Sequence, residues 1–148
     1  MNGYLREAQE NDTDLLYNWA NEEAVRRNSF HTEQIPYSEH LNWFHNLLTS
    51  SRIKQYIYID DGEPVGQVRI TVDKDEAELS YSITKEKRGM GHARIMLTLL
   101  KQKVQEDFPQ VKKLTAKVKS SNLASQKVFR GLNYESKYEV FETVLEEG

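Results

Sequence analysis

None of the 148 residues is a cysteine. Disulfides, thiolate metal sites and a cysteine nucleophile are thereby excluded within this chain, and the usage suits a reducing compartment. No apolar run approaches the roughly 20 residues needed to cross a bilayer. The opening Met1-Asn2-Gly3-Tyr4-Leu5-Arg6 has no apolar signal core. A cytoplasmic setting without a membrane partner is expected. Charge of one sign is also scarce. Lys and Arg number 20 against 23 Asp and Glu, a net of −3, and no arm is densely basic. Nucleic acid is therefore disfavoured as a main partner. Repeats, low-complexity tracts and linkers are absent, and the length is that of one domain, residues 1–148. Such a chain buries a real core without staples.

What is present is organised around Ile83-Thr84-Lys85-Glu86-Lys87-Arg88-Gly89-Met90-Gly91-His92-Ala93-Arg94. The alternating run Ala77 to Ile83 before it reads as a strand. Ala93, Ile95, Met96, Leu97, Leu99, Leu100 and Val104 after it read as a helix with a wide apolar face. A glycine-bearing turn from strand into helix leaves backbone N–H groups unpaired and pointing one way. With the positive end of the helix dipole they make a site for phosphate oxygens. Gly89 and Gly91 permit positive φ and close approach of the anion. The P-loop pattern G-x-x-x-x-G-K-[ST] is absent. The dinucleotide pattern G-x-G-x-x-G fails at its third glycine, where Arg94 stands.

Taken in order, Gly3 to Gln9 predicts a first strand. Asn11 and Asp12 are caps for a helix carrying Leu15, Leu16 and Trp19. Asn21 to Phe30 reads as polar and irregular. Ser38 caps a second helix bearing Leu41, Phe44, Leu47 and Leu48. Ile53 to Ile59 alternates as a strand, Asp60-Asp61-Gly62-Glu63-Pro64 turns, and Val65 to Val72 returns. The long helix runs to about Asp107 and stops at Phe108-Pro109. Leu114 to Val118 reads as a strand, Asn122 to Arg130 as a short helix, and Tyr134 to Leu145 as one long strand or two short ones. This order predicts an α+β fold, not a doubly wound sheet. The sheet is mostly antiparallel, with one parallel pair joined by a right-handed crossover around the long helix, and helices flank it.

Arg88-Gly89-Met90-Gly91-His92-Ala93 matches Q/R-x-x-G-x-G/A, the pyrophosphate-binding signature of the GNAT superfamily of acyl-CoA-dependent N-acetyltransferases. Asn122-Leu-Ala-Ser125-Gln-Lys-Val-Phe129-Arg-Gly-Leu-Asn133-Tyr134 resembles that family's N-x-x-A/S-x-x-x-Y/F-x-x-x-G-F segment. Asn133-Tyr134 replaces Gly-Phe, and asparagine tolerates the left-handed conformation. The element order also resembles the GNAT fold from end to end. The resemblance implies acetyl-CoA as co-substrate, with no metal, held where two parallel strands splay apart. The backbone around Ile83 would pair with the pantetheine arm, the amides of Arg88, Gly89, Met90, Gly91, His92, Ala93 and Arg94 would hold the pyrophosphate, and Asn122 would hydrogen-bond the pantetheine. By the same resemblance Phe129 would stand beside the cofactor, where relatives often carry tyrosine.

Trp19-Ala-Asn21, Val25-Arg26, Asn28-Ser29-Phe30 and His40 followed by Trp43-Phe44 resemble a narrower group, the acetyltransferases of 4-amino nucleotide sugars, of the pseudaminic acid pathway type. That likeness implies a small-molecule amine acceptor, a nucleotide sugar, met by Trp19, Asn28, Ser29, His31 and Tyr81. The bland reading makes Trp19, Trp43 and Phe44 core residues of two packed helices. The reaction implied is direct attack of a neutral amine on the thioester. Glu78, on the strand leading to the glycine loop, is the first candidate base, with a strand-edge ion pair as its alternative. Ser125, Tyr134 or water would assist the departing thiolate, since Phe129 has no proton to give. An acetyltransferase of peptide N-termini or polyamines, and a non-catalytic acyl-CoA-binding module, stay open. So does the choice between monomer and homodimer.

Overall fold

The computed structural model describes residues 3–145. Five strands form one sheet in the order β1-β2-β3-β4-β5: β1 Tyr4–Glu7, β2 Ile53–Asp60, β3 Glu63–Asp73, β4 Glu76–Ile83 and β5 Lys113–Ala116. The first three pairings are antiparallel and β4/β5 is parallel. The helices are α1 Thr13–Ala20, α2 Glu23–Asn28, α3 Tyr37–Leu48, α4 His92–Asp107 and α5 Leu123–Gly131. This is the α+β architecture expected from the element order, with α4 as the crossover.

The sheet is covered on both faces. On one side α4 lays Met96, Leu97, Leu100 and Val104 over Tyr56, Tyr58, Val68, Ile70 and Leu79. Each such side chain, wholly withdrawn from water, contributes about 1.5–3 kcal/mol. On the other side Leu16, Phe44 and Leu47 of α1 and α3 cover Ile57 and Ile59. Residues Gln55 to Ile59 are consecutively buried because β2 lies under both layers. Gly66 of β3 marks a close approach of β4 and α4. A Cβ there would stand 2.8 Å from both Ile83 Cδ1 and Ser82 O, and 3.3 Å from Met96 Sδ.

Four expectations need correction. The stretch Asn21 to Phe30 contains α2, capped by Glu22, whose carboxylate accepts from Val25 N at 3.3 Å. Asp12 precedes α1 but does not cap it. Its carboxylate takes both Arg6 guanidinium nitrogens at 2.8 Å and Gln9 N at 2.8 Å, a stronger use of a buried charge than one helix amide. Ser38 lies inside the first turn of α3, whose preceding residue is Pro36. Finally, Tyr134 to Leu145 forms no strand. The segment lies against no neighbouring strand, and Tyr138, Val140, Phe141, Val144 and Leu145 stand 74–87% exposed. A strand needs a neighbour for its ladder, and β5 supplies only four residues.

Candidate active site

The glycine loop leaves β4 through a short 3-10 turn, Lys85–Lys87, and enters α4 at Gly91. Gly89 and Gly91 hold φ of +75° and +85°, the left-handed region where a Cβ is strained. No side chain caps α4. Among the described residues, the N–H groups of Gly89, Met90, Gly91, His92, Ala93 and Arg94 donate to no protein acceptor, whereas Lys87 N and Arg88 N bond back to Thr84 O and Lys85 O. Nothing lies within 4 Å of a Cβ built on Gly89 or Gly91, so the space beside both glycines is open. Six free amides at a helix N-terminus facing open space suit a pyrophosphate. The side chains of the loop point elsewhere. His92 is buried with its ring 5.9 Å from that of Tyr58, and Met90 is exposed. Arg94 Nη2 donates to Gly131 O at 2.8 Å, tying α4 to α5.

Beside the loop, β4 and β5 diverge. Their register runs only from Glu76↔Lys113 to Leu79↔Ala116, so β5 does not bridge Ser80 to Ile83. A strand residue turns its N–H and C=O to the same side. The Ile83 carbonyl accepts from Arg88 Nε at 3.0 Å, and Thr84 N reaches back to Val65 O of β3. Ile83 and Tyr81 thus face the open edge, as expected for pantetheine, although Arg88 already takes one acceptor there. Across the gap α5 begins at Asn122, whose Oδ1 caps the helix by accepting from Ser125 N at 3.2 Å; its amide nitrogen is left to donate. The Tyr81 and Ser125 hydroxyls lie 2.8 Å apart. Burial pushes the Tyr81 phenol up, so it stays protonated near neutral pH. Phe129 is buried and packs against both Tyr81 and Tyr134, at 5.8 and 4.9 Å between rings. The Tyr134 hydroxyl is buried without a partner.

The opposite face of β4 looks onto α1 and α2 across a cavity of about 190 Å³. Asn18, Trp19, Glu22, Ser82, Thr84 and Arg88 are among its lining residues. Glu22 accepts from Arg88 Nη2 at 2.7 Å, and this bond holds its carboxyl below the usual range. The glycine loop is thus clamped to the N-terminal helices. Sequence reasoning missed Glu22, because its segment shows no period. It also missed Ser82, although the alternation along β4 puts Glu78, Ser80 and Ser82 on one face. A row of amides backs that face: Gln55 Nε2 donates to Gln67 Oε1 at 2.6 Å, and Gln67 Nε2 to Ser82 Oγ at 3.1 Å. Ser82 keeps its own proton to donate.

Of the expected acceptor residues, Trp19 lines this cavity and Tyr81 belongs to the other face. Ser29 is engaged in closing α2: its hydroxyl donates to Val25 O at 2.6 Å and accepts from Arg26 at 3.2 Å. The His31 side chain is exposed, while its carbonyl accepts from Arg26. Asn28 ends α2 half-buried, away from the cavity lining. A second cavity of about 410 Å³, lined by Asn21, Glu23, Arg26, Arg27, Thr32 and Gln34, takes no residue from the sheet. Glu78 is exposed with Oε1 3.3 Å from Lys117 Nζ, the ion pair weighed against its role as base. Among the described residues no group of three His, Cys, Asp or Glu could hold a metal ion.

The sequence profile of the acetyltransferase (GNAT) domain matches residues 4–135. No curated protein sequence matches the chain. Among solved structures, a domain from Methanocaldococcus jannaschii superposes with a TM-score of 0.81 at 20% identity, over 95% of this chain and 92% of that one. Spermidine N-acetyltransferase from Vibrio cholerae, in complex with CoA and spermine, gives 0.83 at 17% identity over 99% and 88%. The aminoglycoside acetyltransferase AAC(6')-Ib in complex with coenzyme A gives 0.77 at 17% over 91% and 85%. At such identities the structural likeness is one of fold, and the profile, spanning nearly all of the described residues, carries the assignment: the chain belongs to the GNAT acetyltransferase domain family and is an acyltransferase.

Proposed function

We propose that the chain transfers the acetyl group of acetyl-CoA to the primary amine of a small molecule, and that this acceptor is a UDP-linked 4-amino sugar. The observation that carries the first part is the set of six free amides, Gly89 to Arg94, next to the unbridged edge of β4. Two of the similar structures hold coenzyme A or CoA. The N-terminal likeness around Trp19 and Asn28 supports the acceptor, together with the position of Trp19 in the cavity on the far face of β4.

In this reading the loop amides bind the pyrophosphate, and the N–H and C=O groups of Tyr81 align the pantetheine arm. The amine enters the cavity lined by Asn18, Trp19 and Ser82. An alkylamine with a pKa of about 10.4 must lose a proton before it attacks. Glu78 stands on the cavity face, but four residues before Ser82, about 13 Å along the strand. It therefore takes the proton only through a chain of several waters. The outward N–H of Ile83 stabilises the developing oxyanion. The departing thiolate belongs to a thiol of pKa about 8.5, so a hydrogen bond suffices for it. Ser125, held by Tyr81, donates that bond.

An amine panel with acetyl-CoA tests the reading. UDP-4-amino-4,6-dideoxy sugars are expected to give a higher kcat/KM than spermidine or peptide amines. Faster acetylation of peptides or spermidine would overturn the acceptor, and no turnover with any amine would overturn the enzyme reading in favour of an acyl-CoA-binding module.

A further inference from the structure

Three arginines are half-buried: Arg6, Arg26 and Arg69. The first two are supplied with acceptors. Arg6 grips both oxygens of Asp12. Arg26 donates to Ala20 O, His31 O, Glu33 O and Ser29 Oγ. Arg69 has none. Among the described residues it makes no ion pair and no hydrogen bond, although a guanidinium carries five donors. It stacks on the ring of Trp43, with Cζ 5.1 Å from the centroid. Stacking covers one face of the guanidinium plane and fixes its direction, while the donor edge remains available.

Neither of the nearest side-chain acceptors bonds to it. Gln67 Oε1, two residues along the strand, accepts from Gln55, and Glu78 pairs with Lys117. Glu78 is near enough to act on Arg69 through space, which works against the burial that lowers the arginine's pKa. Placement gives this arginine a purpose. Arg69 pairs with Ser80 in the β3/β4 register, and Gln67 pairs with Ser82. Arg69 therefore lies on the same face as the cavity-lining Ser82, one pleat repeat or about 7 Å along the sheet. A molecule whose amine enters the cavity extends past it.

We propose that Arg69, stacked on Trp43, is a specificity residue that pairs with an oxyanion, a phosphate or carboxylate, carried by the amine acceptor. This rests on the N-acetyltransferase reading of the same site. The amine enters the cavity, and Arg69, one repeat away on the same face, meets an anion, so the acceptor is a molecule that carries both an amine and an oxyanion. A polyamine has no group to offer Arg69.

Matched acceptor pairs test this: a UDP-linked 4-amino sugar against the free 4-amino sugar, and 6-aminohexanoate against 6-aminohexanamide. The wild type is expected to prefer the anionic member of at least one pair. In Arg69→Gln that preference falls on the order of 10- to 150-fold, the range of a hydrogen bond to a charged group. It falls through KM, with the KM of acetyl-CoA and the rate on the neutral member unchanged. Arg69→Lys, which keeps the charge and loses the fork, falls between. A response confined to the UDP pair assigns phosphate, and one confined to aminohexanoate assigns carboxylate. A second measurement needs no turnover: UDP and 6-aminohexanoate are titrated against Trp fluorescence with the loop saturated by CoA, with Trp43→Phe as control. Saturable quenching that Arg69→Gln abolishes supports the site even if no amine is acetylated, in which case only the enzyme reading fails. Turnover without preference for the anionic members, with no Arg69-dependent quenching, overturns the site and leaves the enzyme reading standing.

Discussion

Replacing Gly91 by valine separates the two tasks of the glycine loop. Gly91 stands at φ +85° immediately before α4. A side chain held in that region costs about 1–3 kcal/mol, and a β-branched one lies at the upper end. No atom lies within 4 Å of an added Cβ, so no clash adds to this strain. A domain holds about 5–15 kcal/mol of stability, so the fold survives with a melting temperature lowered by about 3–10 °C. Binding responds differently. The open space in front of Gly91 is where phosphate oxygens would meet the amides, and an isopropyl group fills it. Losing one or two charged hydrogen bonds at about 1.5 kcal/mol each raises the Kd for CoA about 10- to 150-fold. Calorimetry with CoA and with pantetheine, which lacks the pyrophosphate, reads this directly. Gly91→Asn, which tolerates the left-handed region, should recover stability without recovering affinity. A folded Gly91→Val protein with undiminished CoA affinity, or with equal losses for CoA and pantetheine, would refute the pyrophosphate assignment.

Other expectations follow from the same geometry. Ser125→Ala removes a hydrogen bond to the departing thiolate and should lower kcat about 10-fold or more; steady-state rates across pH check it, and an undiminished rate excludes the serine. Tyr134→Phe deletes a buried hydroxyl that has no partner, so kcat stays constant and the melting temperature is unchanged or higher; a collapse of kcat would move the thiolate-stabilising role to Tyr134. In Asp12 the Arg6 hydrogen bonds hold the carboxyl below its ordinary 3.8. A lowered folded pKa gives stability that is present above about pH 4 and lost as pH falls through the folded value. The melting difference between wild type and Asp12→Asn should therefore be large near pH 7 and close on acidification; a difference independent of pH would contradict it.

The sequence makes the sheet and the cofactor side legible because both rest on local signals. Period-2 runs fix β2 to β4, and the two glycines of the loop need positive φ whatever packs around them. Asn133 likewise adopts the left-handed conformation its side chain tolerates, at φ +66°. What escapes is everything decided by a partner distant in sequence. Asp12 looks like a helix cap until Arg6 takes its carboxylate. Glu22 lies in a stretch without period, and its meaning comes from Arg88, 66 residues away. Arg69 is one apparent solvated charge on an alternating strand until Trp43 of α3 covers it. Tyr134 to Leu145 has the composition of a strand, yet its length finds no ladder beside β5.

The division of labour in the proposed reaction follows from the pleat of one strand. Along β4 the odd-numbered Tyr81 and Ile83 have side chains on the α4 and α5 side. The even-numbered Glu78, Ser80 and Ser82 look toward α1 to α3, where the amide row and the cavity lie. One strand thus meets the thioester along its open edge, the leaving sulfur on one face and the amine on the other. The period of two makes that arrangement intolerant of register change, since a one-residue slip would carry every side chain to the opposite face. Gly66 fixes the register: it sits opposite Ile83 with no room for a Cβ between Ile83, Ser82 and Met96. A larger residue there would push β4 off β3 at the point where the edge must stay open. In the proposed reaction the alignment of the two substrates thus depends also on a glycine in the strand beside the loop.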